Sequence, residues 1–234
     1  MVDQKTLMPI IALLFLTLNL FGQDFVDPKK ILSQLQNKFK NQSVDNIDHI
    51  VRRMGNKKIS LEAYVSLEAD WLQLKSILKH INEYPKWVLP RINERSPGDK
   101  FFIQFASITP AQNLIDTLDV EVFLSLPALK IPIRRLFYFE LLPQSDDNTL
   151  TMRMTALAST DSAVKDLSGY AHFFKNPKNP SQVWVYLDVY VILTHWLVYE
   201  SLPERLLARE VGDRLRIIIE NYQNYENTKG TKSP

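Results

Sequence analysis

Lys58–Arg91 reads KISLEAYVSLEADWLQLKSILKHINEYPKWVLPR, a strand that runs without a linker into two short helices. Ile59, Leu61, Ala63, Val65 and Leu67 alternate with Ser60, Glu62, Tyr64 and Ser66, the period-2 pattern of a strand with one buried face. Asp70 can cap the helix that follows, in which Trp71, Leu74 and Leu78 fall on one side. His80–Leu89 predicts a second helix or helical turn, interrupted at Pro85 and stopped by Pro90.

Downstream of this stretch, apolar-rich segments separated by turn residues predict strands at Lys100–Ala106, Asp119–Leu126, Ile131–Leu142, Thr149–Leu157, Gly169–Lys175 and Ser181–Leu193. The clearest connections are Gln144–Asn148 and Asn176–Pro180. A long helix closes the pattern from Pro203 to Tyr222. Ser201 and Glu204 form a capping-box pair at its start, and Leu207, Val211, Leu215, Ile218 and Tyr222 make one apolar stripe. A curved antiparallel sheet gripping a single C-terminal helix leaves an apolar hollow between the two. The fold class expected is therefore α+β, a sheet of about seven strands around one long helix.

Upstream, Asp27-Pro28 is a helix start, and Ile31, Leu32, Leu35 and Phe39 recur at helical spacing over 28–40. Val44–Met54 fits either a helix or a strand, and Gly55-Asn56 is a turn. Leu7–Phe21 (LMPIIALLFLTLNLF) is apolar but shorter than the ~20 residues a membrane span needs, and Gly22 follows it. The organisation expected is a signal peptide over 1–22, an N-terminal helical extension over 23–56, one domain over 57–225 and a disordered tail over 226–234. Export to a bacterial periplasm or secretion follows from the leader. The absence of cysteine leaves stability to the core alone, which a periplasmic protein tolerates well.

The formal net charge of +2 argues against a nucleic-acid partner, which would require a basic excess or stripe. His49, His80, His172 and His195 show no metal-ligand spacing, and with six glycines a phosphate-cradling loop is not expected. No metal, cofactor or catalytic residue is assigned. Asn41-Gln42-Ser43 matches a glycosylation sequon, a pattern that recurs by chance.

The element order resembles that of the START-like domains, the helix-grip or polyketide-cyclase-like (SRPBCC) superfamily. The residues that carry the likeness are Ala69-Asp70-Trp71 leading to Tyr84-Pro85-Lys86-Trp87-Val88-Leu89-Pro90, then Gly169-Tyr170-Ala171-His172-Phe173, and Trp196-Leu197 with Leu202-Pro203 before the closing helix. The resemblance covers about Lys57 to Tyr222 and implies a pocket for a hydrophobic small molecule such as a lipid or isoprenoid. One feature departs from the family. Its members often carry an acidic-Arg-acidic run where this chain has Arg134-Arg135-Leu136, so only the central arginine is kept.

Alternation places Val120, Val122, Leu124, Ile133, Arg135, Phe137, Leu150, Met152, Met154, Ala171 and Phe173 toward the hollow. The cavity lining expected is Trp87, Ile103, Val122, Leu124, Arg135, Phe137, Met152, Met154, Phe173, Leu207 and Val211. The same faces could equally pack a solid core. Arg135, on an apolar face, needs an anion, either a protein carboxylate or the head of a bound lipid. On the opposite face Tyr170, His172, Phe174, Trp184, Tyr186 and Tyr190 form an aromatic patch. That patch either docks on a membrane or partner, with Lys175 and Lys178 at its tip, or lies beneath the N-terminal helix through Ile31, Leu35 and Phe39. Reversing the faces would instead bring the aromatics and Asp188 into the pocket, where Asp188 could act as a general base in a cyclase- or hydrolase-like enzyme.

Overall fold

The structure, a computed structural model, describes residues 27–40, 46–94, 102–126, 129–143, 147–157, 164–194, 199–200 and 204–230. The leader, the sequon, Trp196-Leu197, and Ser201 to Pro203 with the capping-box pair they complete lie outside the described residues. So do the centre of the Gln144–Asn148 turn and the last residues of the tail.

Helix α1 (Pro28–Lys38) starts where Asp27 accepts the Lys29 amide at 3.0 Å, with Pro28 in its first turn. Strands β1 (Asn46–Met54) and β2 (Lys58–Glu68) form a hairpin turned at Asn56 and Lys57, both at positive φ. Helix α2 (Trp71–Lys79) is capped by Asp70, which accepts the Gln73 amide at 2.8 Å. A 3₁₀ turn (Ile81–Glu83) and helix α3 (Tyr84–Val88) follow, with Pro85 in the first turn of α3. Pro85 thus opens a helix where an interruption was expected, because its missing N–H is harmless there.

Strands β3 (Phe102–Pro110), β4 (Thr117–Leu126), β5 (Leu129–Leu141), β6 (Thr149–Ala156), β7 (Val164–Lys175) and β8 (Gln182–Leu193) complete one antiparallel sheet. Its order is β1-β2-β8-β7-β6-β5-β4-β3, eight strands in place of about seven. The added strand is β1: the segment that fitted helix or strand is the sheet's edge, so the sheet begins ahead of Lys57 and residues 23–56 are not wholly helical. Helix α4 (Glu204–Gly230) closes the fold and continues past Tyr225, into residues expected to be a disordered tail.

The register puts Val65, Val185, Phe173 and Leu150 side by side, and Ala63, Leu187, Ala171, Met152 and Leu141 in the next row. These rows belong to the face that packs on α2, α3 and α4. At Gly169 an added Cβ would lie 2.4 Å from the Asp188 carbonyl oxygen and 2.7 Å from Val189 Cα. Only glycine lets β7 lie this close to β8 on the concave side.

α4 is fastened to both sheet edges. Toward β1, His49 Nε2 donates to the Ala208 carbonyl at 2.6 Å and the Arg53 amide donates to Glu204 at 2.6 Å. Toward β3, the Ile103 amide donates to Glu210 at 2.8 Å.

The opposite face carries its own cluster. Ile31, Leu35 and Phe39 of the α1 region pack on Phe174, Trp184 and Tyr186, with the Phe39 and Trp184 rings stacked at 6.4 Å. This overturns the reading of Phe174, Trp184, Tyr186, His172 and Tyr190 as an exposed patch. Each is less than one-tenth exposed, and only Tyr170 of the six is half-buried. An amphipathic helix and an aromatic sheet face bury each other because both would otherwise leave apolar surface in water.

Candidate functional site

The concave face does not fill the space beneath α4. A cavity of about 160 Å³ lies at the end of the sheet where α2 and α3 pack. Val65 and Leu67 of β2 and Val185 and Leu187 of β8 form its floor, with Phe173 of β7 beside them. Leu74 and Leu78 of α2 and Trp87 of α3 form one wall, and Leu215, Ile218, Ile219 and Tyr222 of α4 form the roof. Every lining side chain is aliphatic or aromatic. The cavity opens to solvent on one side, and its volume and apolar walls suit a benzene-sized apolar guest.

Beyond the cavity the inner face is only partly buried. Leu61, Val120, Val122, Phe137, Met154, Ala171 and Val189 point beneath α4 by register, yet each is only half-buried. In a tightly packed core such positions would be closed off.

The roof is latched on its polar side to the segment after α3. Arg214 and Glu210 are both almost fully buried and paired at 2.7 Å, one helical turn apart. Arg214 also donates to the carbonyls of Ile92 and, at 2.9 Å, Glu94. Asn221 donates to the carbonyls of Val88 and Pro90, and Tyr225 donates to Glu83 at 2.8 Å. Arg91 bridges Glu94 and Glu220 at the surface. The half of α4 that covers the cavity is thus tied by polar bonds to the 3₁₀ turn, α3 and the segment after it, in addition to its apolar packing through Ile218, Ile219 and Tyr222.

Of the expected lining residues, the structure brings Trp87 and Phe173 to the cavity. Ile103 and Leu207 instead pack in a separate cluster at the other end of the sheet, with Val51, Ile59, Ile131, Val164 and Leu193. Met152 is buried beneath Tyr84, whose hydroxyl approaches its sulfur at 3.6 Å. Burial pushes that phenol well above the usual tyrosine range. Val122, Phe137, Met154 and Val211 are half-buried outside the cavity wall, and the side chain of Leu124 lies outside the described residues.

Arg135 is 4% exposed, and its guanidinium donates to the Val164 carbonyl at the start of β7. The β5–β6 ladder begins only at Phe137, so Arg135 reaches across the interval left beside β5. It does not enter the cavity. Asp188 sits opposite Glu62 and Tyr170 on the convex face, which removes it from any site under α4.

The lining residues that sequence reasoning missed were visible as stripes. Leu74 and Leu78 share a helical face, Val65 and Leu67 a strand face, and Leu215, Ile218 and Tyr222 lie on the predicted stripe of α4. The sequence lacked any mark of which end of that stripe would be left unfilled. Among the described residues no cluster of His, Asp and Glu could hold a metal, and no helix is long and apolar enough to cross a membrane.

No protein-family model and no curated protein matches the sequence. Solved structures do match. A STAR-related lipid transfer protein fragment from Xanthomonas axonopodis aligns with a TM-score of 0.52 at 13% identity, covering 78% of this chain and 96% of that one. A START superfamily protein from Mycobacterium smegmatis aligns at 0.41 and 11% identity, covering 71% and 95%. At these identities the likeness is one of fold. With eight antiparallel strands curved around a terminal helix, and short helices between β2 and β3, the chain has the helix-grip fold.

Proposed function

We propose that this protein binds a hydrophobic small molecule, a lipid or isoprenoid, beneath α4 and does not transform it. The observation that carries the reading is the wholly apolar cavity of about 160 Å³, continued by a half-buried inner face. Moving apolar ligand surface out of water would drive binding at about 25 cal/mol per Å², less the cost of ordering ligand and protein. The present cavity holds one ring or a short chain segment. A longer ligand would extend along the inner face past Ala171 and Val189, with α4 moving outward from its polar latch.

The lining holds no carboxylate, imidazole or amine, and its one titratable side chain is the phenol of Tyr222, which favours carriage over chemistry. The apolar run Leu7–Phe21 is in this reading an export signal, which would put the carrier in the periplasm or outside the cell. A peripheral membrane contact would supply an insoluble cargo. The test is organic extraction of the purified protein followed by mass spectrometry, with a titration of small apolar probes. Stoichiometric lipid, or saturable uptake of a probe blocked by Leu187→Trp, is expected. Neither lipid nor uptake would defeat the proposal.

A further inference from the structure

Among the described residues the exposed large apolar side chains are Ile50, Met54, Leu72, Leu114 and Ile115. Leu72, Leu114 and Ile115 belong to the end of the sheet that holds the cavity. Leu114 and Ile115 form the tip of the β3–β4 hairpin. Just inside that tip, Ile108 and Leu118 pack in one cluster with Ile81, Tyr84 and the lining residues Leu78 and Trp87. Leu72 lies in the first turn of α2, next to Trp71, whose indole donates to the Asp147 carbonyl ahead of β6 at 2.6 Å.

The tip is held by its own backbone. The Ala111 amide donates to the Thr117 carbonyl, the Thr117 hydroxyl to the Ile115 carbonyl and the Phe139 amide to the Asp116 carbonyl, each at 2.9 Å. Asn113 and Asp116 take positive φ, which their short polar side chains tolerate. Turn residues are ordinarily polar, yet the two between them are aliphatic, and Ile115 is 86% exposed.

Three aliphatic side chains fall well short of the ~800 Å² per partner that a stable protein interface buries. A bilayer requires less, because each apolar side chain that enters the boundary between headgroups and acyl chains leaves water on its own. Charges at this end come in both signs. Asp116 adjoins Ile115, and around α2 Asp70 and Asp147 stand against Lys75 and Lys79, so no basic cluster selects anionic lipid. An insoluble cargo is met at a membrane, and the cavity lies at this same end. Resting on the carrier reading above, we propose that the β3–β4 tip is the bilayer contact. Ile115 and Leu114 enter a neutral phosphatidylcholine surface, with Leu72 as a second point of contact.

The chain has no cysteine, so a single introduced cysteine can be labelled specifically. Ile115→Cys and, as control, Ile50→Cys on β1 each carry an environment-sensitive dye in the full chain and are mixed with vesicles of brominated phosphatidylcholine. The dye at position 115 should be quenched and the dye at position 50 should not. Ile115→Asp should slow uptake of an apolar probe from vesicles by about tenfold and leave its uptake from water unchanged. No quenching at 115, equal quenching at both positions, or an unchanged rate from vesicles would overturn the bilayer contact. So would a dye at 115 that responds to protein concentration without lipid, the mark of a second copy on the tip. In each of these cases uptake from water by the wild type leaves the carrier reading standing. Its absence would overturn the carrier reading and this contact together.

Discussion

Gly212 of α4 lies directly over His49 of β1: a Cβ added to the glycine would sit 2.6 Å from His49 Cε1. The same imidazole donates to the Ala208 carbonyl one turn earlier at 2.6 Å. A glycine inside a helix costs about 1 kcal/mol relative to alanine, so its presence here needs a packing reason. The approach of helix to edge strand supplies it.

Gly212→Ala is therefore expected to destabilise the fold by about 1–3 kcal/mol, because the overpacking exceeds the gain in helix propensity. His49→Ala in the same chain should recover most of that loss. Urea unfolding of the two single variants and the double variant checks both statements. Independent, additive effects would show that the two residues do not oppose each other.

The Arg214–Glu210 pair predicts a large asymmetry between buried and surface ion pairs on one helix. The side chains are 6% and 3% exposed. Arg214→Ala strands a buried carboxylate and two carbonyls, and should cost about 3–5 kcal/mol. Arg91→Ala breaks contacts to Glu94 and Glu220 at the surface and should scarcely move the unfolding midpoint. Thermal or denaturant midpoints for the two variants decide the matter.

His172 predicts a stability that falls in acid. It is 1% exposed, stacks between Tyr170 and Phe174, lies near Tyr186, and meets Thr151 Oγ1 at 3.0 Å. Burial lowers its pKa from 6.5 to about 4. The unfolded chain then binds a proton that the folded one refuses between those values. The contribution of neutral His172 is full above about pH 6.5 and is lost as pH falls toward 4. His172→Gln should flatten that part of the profile of melting temperature against pH. A profile unchanged by the substitution would mean that other groups set the acid limit.

The buried aromatic face changes what Trp184 is expected to do. With Phe39 stacked on it and α1 across it, Trp184→Ala should cost about 3–5 kcal/mol of stability. Liposome binding measured on the folded fraction should stay the same. Loss of membrane affinity without loss of stability would return this face to the surface.

Much of the architecture was legible in Lys58–Arg91 and in the periodicities downstream, since alternation and helical stripes are local consequences of backbone geometry. Val44–Met54 was not, because an edge strand with Asp48, Arg52 and Arg53 among its residues carries a mixed pattern. The candidate site was legible as faces and not as a volume. Trp87 and Phe173 were placed correctly in the wall, while Arg135 satisfies a carbonyl that sequence spacing does not bring near it.

By itself, the amino-acid order determined every strand but the edge strand β1, the helix starts at Asp27 and Asp70, and the division of the sheet into an aliphatic and an aromatic side, because each depends on neighbours a few residues away. Only the tertiary structure decided which side α1 covers and which half of α4 stands off the sheet. Those outcomes depend on how far one packed surface lies from another, a distance set jointly by side chains remote in the chain.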